Sequence, residues 1–546
     1  MKPPRQANEY RDAIIQYSER SYTKTIFQGF IYRFLQELLK QDETDLDKQF
    51  PDLDEHVLAH LSVFESGSDY VSSHYSYSQL QSLLDVPLPS KRSGQMLFLG
   101  GHLSGSWIAS IGAKYGIGPE FFRRHIHLWR SRRGAVLYAV PTMPSVSSQV
   151  GITLRINTCG ESTRSLGDIS LSDRRQMLPE KFFHTPKVLK PAPGSSYIRG
   201  NAYLGDSTFS IEQDISITIE SDGEGWTAIL WSDVGSRDLS HSSDFHWFLS
   251  HLKACAKTGA RWIILVPSAL LSIDSELQHP LPSLAPGPIN PNIITPNSLI
   301  QSASHLPREF HLLLDHAIAA LDPLYALSPI FRFAAATSNQ VLSTMTRRYE
   351  IISSALWDID RAVTHLNQLI THKHLLSDHA CRHEEVLRYL QSTHTIQWSR
   401  NLTHAQARVA NQTKSAVEAD FAFLAARFKE TAEHHQNAIA MLTSATALAE
   451  SRKQIQLATQ VTKLTVLASV FLPLSFVTGL FGMNFVELEG LRIWVWGVVT
   501  VCVGMGTVVV YGWGRGLGRF GGGTGAMGVG LKWEGDREVD QNLFGI

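Results

Sequence analysis

Apolar and polar positions divide this chain into unlike parts. Near the C-terminus Leu464 to Phe485 is 22 residues without a charge, and Ile493 to Trp513 is 21 more. Each run is long enough to cross a hydrocarbon core of about 30 Å. Core helices of soluble domains are rarely so long and seldom come as adjacent pairs, so the pattern predicts two transmembrane helices. Upstream the helix-breaking residues vanish: no glycine falls between Gly287 and Gly479, and no proline between Pro329 and Pro473. Such a gap marks continuous helix. At about 1.5 Å per residue, the run from Asn401 to Asn484 would extend on the order of 125 Å if unbroken.

Earlier still the pattern changes. Gln95 to Leu99 is a short apolar run ending at Gly100-Gly101, and Trp107 to Gly116 and Pro119 to Trp129 read as helices parted at Gly116-Ile117-Gly118. Ile211 to Glu220 and Trp226 to Trp231 flank Asp222-Gly223-Glu224-Gly225, a hairpin signal, and Arg261 to Val266 is a further β-rich run. The predicted organisation is a partly helical N-terminal extension over 1–92 and an α/β domain over 93–300, with a proline-rich linker near 280–296. A helical region with a stalk helix comes next over 301–463, then spans at 464–485 and 493–513 joined by a loop at 486–492, and a glycine-rich tail over 514–546.

Composition narrows the function. The chain has 546 residues, 43% hydrophobic and 18% charged, too long for one compact domain and too apolar for disorder. With 49 Lys+Arg against 50 Asp+Glu, the net charge of −1 gives no attraction for nucleic acid. The 4 cysteines lie far apart with no CxxC pair, against both a disulfide framework and a thiolate metal site. Residues 1 to 30 hold no apolar run of signal-peptide length. Arg452, Lys453 and Lys463 precede the first span and Arg515 and Arg519 come after the second, whereas the loop between carries two glutamates and one arginine. Basic residues favour the cytosolic side, so both termini are expected there, with the plasma membrane favoured over an organelle membrane.

The first span ends in Pro473-Leu474-Ser475-Phe476 and then Gly479-Leu480-Phe481-Gly482-Met483-Asn484. A proline-marked span closing on Gly-Met-Asn, succeeded by a short acidic loop and a second span, resembles the signature of the CorA family of divalent-cation channels, most closely its fungal members. The resemblance implies a funnel-shaped homopentamer that passes Mg²⁺, with Gly482, Met483 and Asn484 at the selective entrance. It also implies Ser475, Leu472, Leu464 and Val461 as pore-lining positions, and Mg²⁺ both as cargo and as a regulatory ion, with no other cofactor. The chemistry agrees with those residue types. Mg²⁺ gives up water reluctantly, so an entrance should address its hydration shell with neutral oxygens, as a ring of Asn484 amides would. Glu487 and Glu489 would concentrate cations at the mouth. No P-loop is present, and an inside-negative potential of 100 mV gives a divalent ion about 4.6 kcal/mol, so passive uptake suffices. A carrier of zinc or another divalent ion, and a non-conducting membrane-anchored scaffold of the same fold, are the competing readings.

One cluster stands apart. His365, His372, His374, His379, Cys381 and His383 crowd one helical region, with His379 and His383 at i, i+4 spacing that suits Zn²⁺. A solvated histidine-rich helix surface is the favoured expectation for it.

Overall fold

The computed structural model describes residues 6–20, 29–40, 50, 53–65, 70–89, 92–126, 151–161, 192–197, 199–205, 208–221, 225–236, 263–265, 302–354, 362–391, 402–482 and 493–520. The chain forms two compact units, Met1–Thr443 and Ser444–Ile546.

The first unit is built on a mixed sheet. Its strands are β1 (Val57–Glu65), β2 (Val71–Ser76), β3 (Ser93–Gly100), β4 (Ile152–Glu161), β5 (Gly200–Tyr203), β6 (Thr208–Ser221), β7 (Trp226–Ser232) and β8 (Ile263–Leu265). The order is β2-β1-β3-β7-β6-β4-β8, with β5 also paired to β6. Among the described strands only β3 and β7 pair in parallel. The hairpin expected between Ile211 and Trp231 forms as β6 and β7, closing at Ser221 opposite Trp226. β1 and β2 belong to the 1–92 segment yet are strands of this same sheet, so that segment is part of the α/β domain and not an extension of it.

Strand alternation explains the layers. Leu97, Leu99, Ile229 and Trp231 project to one face, against α1 (Ala7–Ser18), α2 (Arg33–Leu39), α3 (Leu80–Asp85), α4 (Gly105–Tyr115) and α5 (Pro119–Ile126). Their neighbours Met96, Phe98, Ala228 and Leu230 project to the other, against helices from the C-terminal half of the unit. Gly116 ends α4 in the left-handed conformation at φ 68°, so the expected break between α4 and α5 is a glycine C-cap. Gly112 admits the Tyr10 ring, which would lie 2.5 Å from a Cβ there, and the Tyr10 hydroxyl donates to the Ile117 carbonyl at 2.8 Å.

The region sparse in glycine and proline forms α6 (Pro323–Ser354), α7 (Ala362–Gln391) and α8 (His404–Gly482), with Pro329 inside α6 and Pro473 inside α8. Asp322 caps α6, accepting from the Leu324 and Tyr325 backbone N–H groups at 2.9 and 3.1 Å, with Pro323 at the first helical position. Buried residues recur on α7 at Leu369, His372, Leu376, His379, His383, Val386 and Leu390, steps of three and four that make one continuous seam. Its facing partners run in the opposite sense along α8: His372 meets His435 (ring centroids 5.8 Å apart), His379 meets Phe428 (5.1 Å) and His383 meets Phe421 (5.6 Å). α6 runs with α8, through Phe331 on Phe421 and Tyr349 on His435. The three helices thus form an up-down-up bundle whose interior is rich in histidine. His372, His379 and His383 are 2, 1 and 4% exposed, which overturns the expected solvated surface for these three, while His374 and Cys381 of the same cluster are exposed as expected.

Where sheet and bundle meet, charge is buried. The Arg155 guanidinium on β4 donates to the Asp214 carboxylate opposite it on β6 (2.5 Å) and to Glu212. Arg199 clasps the Asp233 carboxylate at 2.6 and 2.7 Å and donates to the His125 carbonyl of α5 at 2.7 Å. Burial alone would raise both carboxyls; Arg155 and Arg199 hold Asp214, and Arg199 with His125 holds Asp233, below the usual carboxylate range. Removing one partner strands the others in low dielectric. Arg155→Leu is therefore expected to destabilise the protein by about 3–5 kcal/mol, measured by urea unfolding against the wild type.

His102, 5% exposed, sits behind β3 with Nδ1 2.8 Å from the Tyr197 hydroxyl, and burial pushes its imidazole from 6.5 down to about 3. The folded protein thus binds this proton more weakly than the unfolded chain does. Its contribution is complete above pH 6.5 and is lost as pH falls from there toward 3. At pH 5 the loss amounts to about 2 kcal/mol. His102→Gln should remove that share of the difference between urea unfolding at pH 7.5 and at pH 5.

Candidate functional site

Beyond its buried seam α8 changes character. From Leu464 to Gly482 it carries no charge, and its large apolar side chains are exposed: Val461 62%, Leu464 66% and Leu472 71%. Among the described residues α8 is the one helix long and apolar enough to cross a membrane. At 100° per residue, Val461, Leu464, Leu472 and Ser475 fall within an arc of about 80°, and Gly479 and Gly482 extend the same stripe. All four residues predicted to line a pore therefore share one face. A Cβ on Gly479 would meet nothing within 4 Å, so at that position the backbone lies open to close approach.

The hydroxyls of this segment turn inward. Ser475 donates to the Phe471 carbonyl at 2.7 Å, Thr465 to Val461 at 2.9 Å, Thr462 to Ala458 at 2.8 Å and Ser469 to Val466 at 2.8 Å. Each donor is met within its own helix, the arrangement that a hydrocarbon surrounding demands because no water is present to satisfy it. Pro473 lies within the helix and lacks the N–H that would reach the Ser469 carbonyl, leaving a backbone acceptor with no helical partner in mid-span. The helix is described as far as Gly482.

Met483 and Asn484 come directly after, and they, like Glu487 and Glu489, lie outside the described residues. α9 (Ile493–Phe520) occupies the second apolar run and continues seven residues past Trp513, the end expected from the sequence. Its Trp494–Gly506 portion is an apolar stretch shorter than a full span. The exposed faces include Trp494 at 61%, Val501 at 60% and Met505 at 66%. Of the predicted residues, the structure brings Val461, Leu464, Leu472, Ser475 and Gly482 onto one stripe. No group of three or more His, Cys, Asp or Glu side chains in metal-binding arrangement occurs among the described residues.

Residues 304–513 match the family described as CorA-like Mg²⁺ transporter protein. No curated protein matches the chain in sequence. Solved structures similar to it include the CorA magnesium transporter from Methanocaldococcus jannaschii, at 11% identity and a TM-score of 0.33, covering 82% of this chain and 96% of that one. The full-length CmaX protein is similar at 11% identity and a TM-score of 0.30, covering 85% of this chain and 98% of that one.

Proposed function

We propose, from the premise that residues 304–513 form a CorA-like transporter domain, that this chain is a channel passing Mg²⁺ down its electrochemical gradient. The family consists of transporters, not enzymes, and the function is sought in a path and not in a reaction. The observation that carries the reading is the charge-free stripe of α8, apolar, exposed and with its hydroxyls spent on its own backbone, ending at Gly482. One helix pair cannot enclose a path, so copies must surround one, and the family likeness makes the assembly a homopentamer. In that assembly Val461, Leu464, Leu472 and Ser475 face the axis. Leu464 and Leu472 would form constrictions that close by dewetting.

Such a wall offers an ion no ligand, so selection belongs to the entrance. There stands Asn484, two residues beyond Gly482 in the sequence, whose amide oxygens would hold the hydration shell of Mg²⁺ without stripping it. Glu487 and Glu489 would gather cations outside. α9 is the second, lipid-facing span, placing both termini in the cytosol, and the plasma membrane is the favoured site. Mg²⁺ is cargo in this reading, and a regulatory ion as well.

Asn484→Ala is expected to reduce Mg²⁺ uptake into liposomes at least tenfold while the oligomer stays intact; unchanged uptake would sink the mechanism. Zn²⁺ and Co²⁺ flux through the same liposomes separates a magnesium channel from a zinc carrier, and absence of all flux identifies the scaffold alternative. Ser475→Ala, whose hydroxyl is already committed to the Phe471 carbonyl, should change Mg²⁺ uptake by less than about twofold.

A further inference from the structure

One end of the sheet is covered by a segment that the proposed path does not use. Between residues 302 and 319 the chain makes short helical turns, Ser302–His305, Leu306–Glu309, Phe310–Leu313 and His316–Ala319, before Asp322 caps α6. Its buried anchors are Leu306, Phe310 and Ile318. Phe310 lies against Phe98 of β3 (ring centroids 5.0 Å apart) and Phe64 of β1 (6.2 Å). Around that apolar centre the contacts are imidazoles. His311 stacks on Tyr70 at 3.8 Å and 10°, and His316 lies 5.3 Å from Tyr70, 6.0 Å from Phe64 and 6.1 Å from His311. On β1, His60 shares the face of Phe64, stands beside His74 of β2 (6.4 Å) and is close enough to Arg308 to feel its charge.

We propose that residues 302–319 form an acid-released strap: protonation of His60, His311 and His316 around Arg308 lifts the segment from the β1–β2 end of the sheet. Each of these imidazoles can take a proton, and Arg308 already carries a charge. The carboxylates that would answer them are engaged or turned away. Asp315 accepts from the Ala317 and Ile318 backbone N–H groups at 2.9 and 3.4 Å, Glu309 is exposed, and Glu65, next after Phe64, projects to the opposite face of the sheet. His305 is exposed on the segment itself, and Tyr325 of α6 meets it through its hydroxyl, which accepts the Asp315 N–H. Among the described residues no ion pair joins His60, His74, His311 or His316 to a carboxylate. Burial, with Arg308 and His74 nearby, lowers His60 from 6.5 to about 4, and burial with His316 beside it lowers His311; a hydrogen bond to the Arg308 carbonyl opposes the second shift without reversing it. The docked segment thus binds these protons more weakly than the released one. For His60 its hold is complete above pH 6.5 and is lost as pH falls toward 4. The strap leads directly into α6, and Trp226 of β7 donates to its neighbour, the Ala320 carbonyl, at 3.0 Å. Release would therefore loosen the grip of the sheet on the first turn of the bundle.

Peptide-resolved hydrogen exchange of the full-length chain in detergent, corrected for the intrinsic pH dependence of amide exchange, tests this without reference to transport. Between pH 7.5 and pH 5 the opening constant of residues 302–319 should rise about tenfold relative to β3 and β7 peptides of the same sample. His311→Phe keeps a ring on Tyr70 and His60→Gln keeps a polar side chain beside Arg308. The double variant should lose most of that rise, whatever its opening constant at pH 7.5. Where the double variant does not fold, His60→Gln alone should cut the rise at least twofold. His102→Gln, which removes a buried imidazole outside these contacts, should leave it intact. A segment that tracks β3 and β7 across this range, a folded His60 or double variant that keeps the whole rise, or a folded His102→Gln protein that loses it overturns the proposal.

Discussion

The fold turns on one constraint, the need to satisfy the edge of β6 where its partner changes. Along the same side β6 pairs with β5 at Phe209 to Glu212 and with β7 from Ile215 onward. Between the two ladders the Asp214 N–H would lack a strand partner, and the Asp233 carboxylate accepts it at 2.6 Å. That brings a carboxylate into the interior, which in turn requires Arg199, and Arg155 answers Asp214 from the other side. The same guanidinium of Arg199 reaches the His125 carbonyl, so α5 is fixed by the junction too. Charge here is the consequence of topology. A buried ion pair adds little net stability by itself, but once the junction exists each member becomes indispensable to the others.

The long helix α8 answers to two solvents. Up to Leu442 it keeps a stripe of buried residues against α6 and α7, with polar side chains outward, which is the pattern of a helix packed in water. From Leu464 to Gly482 the polarity reverses: apolar side chains are outermost and hydroxyls fold back on carbonyls. The backbone is the same throughout, and only the pattern of side chains records which surroundings each part is built for.

Much of this was legible in the sequence, and the failures have physical causes. β3, β6, β7 and β8 could be read because their apolar runs end in glycine or turn residues. β1 escaped, since His60 and Ser62 interrupt its apolar run, and it is tertiary pairing with β3 that settles it. Glu212 and Asp214 look like exposed strand positions until Arg155 is known to lie opposite. The bundle histidines were misread because histidine counts as polar; the three-and-four spacing that joins them to Leu369, Leu376, Val386 and Leu390 was the signal available to place them inside. The two reversals between α6, α7 and α8 occur with neither glycine nor proline, so punctuation alone could not show that the helical stretch folds back twice. The positions named on α8 share one face because of their spacing in a single helix, whereas Met483, Asn484 and the acidic loop rest on the sequence.

The composition of the bundle interior has a consequence for how this unit comes apart. A seam in which His379 and His383 stand where leucines would pack forfeits apolar contact and keeps ring nitrogens without partners. The sheet is held differently, by ladders on both sides of β3, β7 and β6. Local opening free energies differ accordingly across one unit. Amides of α7 around His379 and His383 are therefore expected to exchange with solvent at a smaller free-energy cost than those of the central strands β3, β7 and β6.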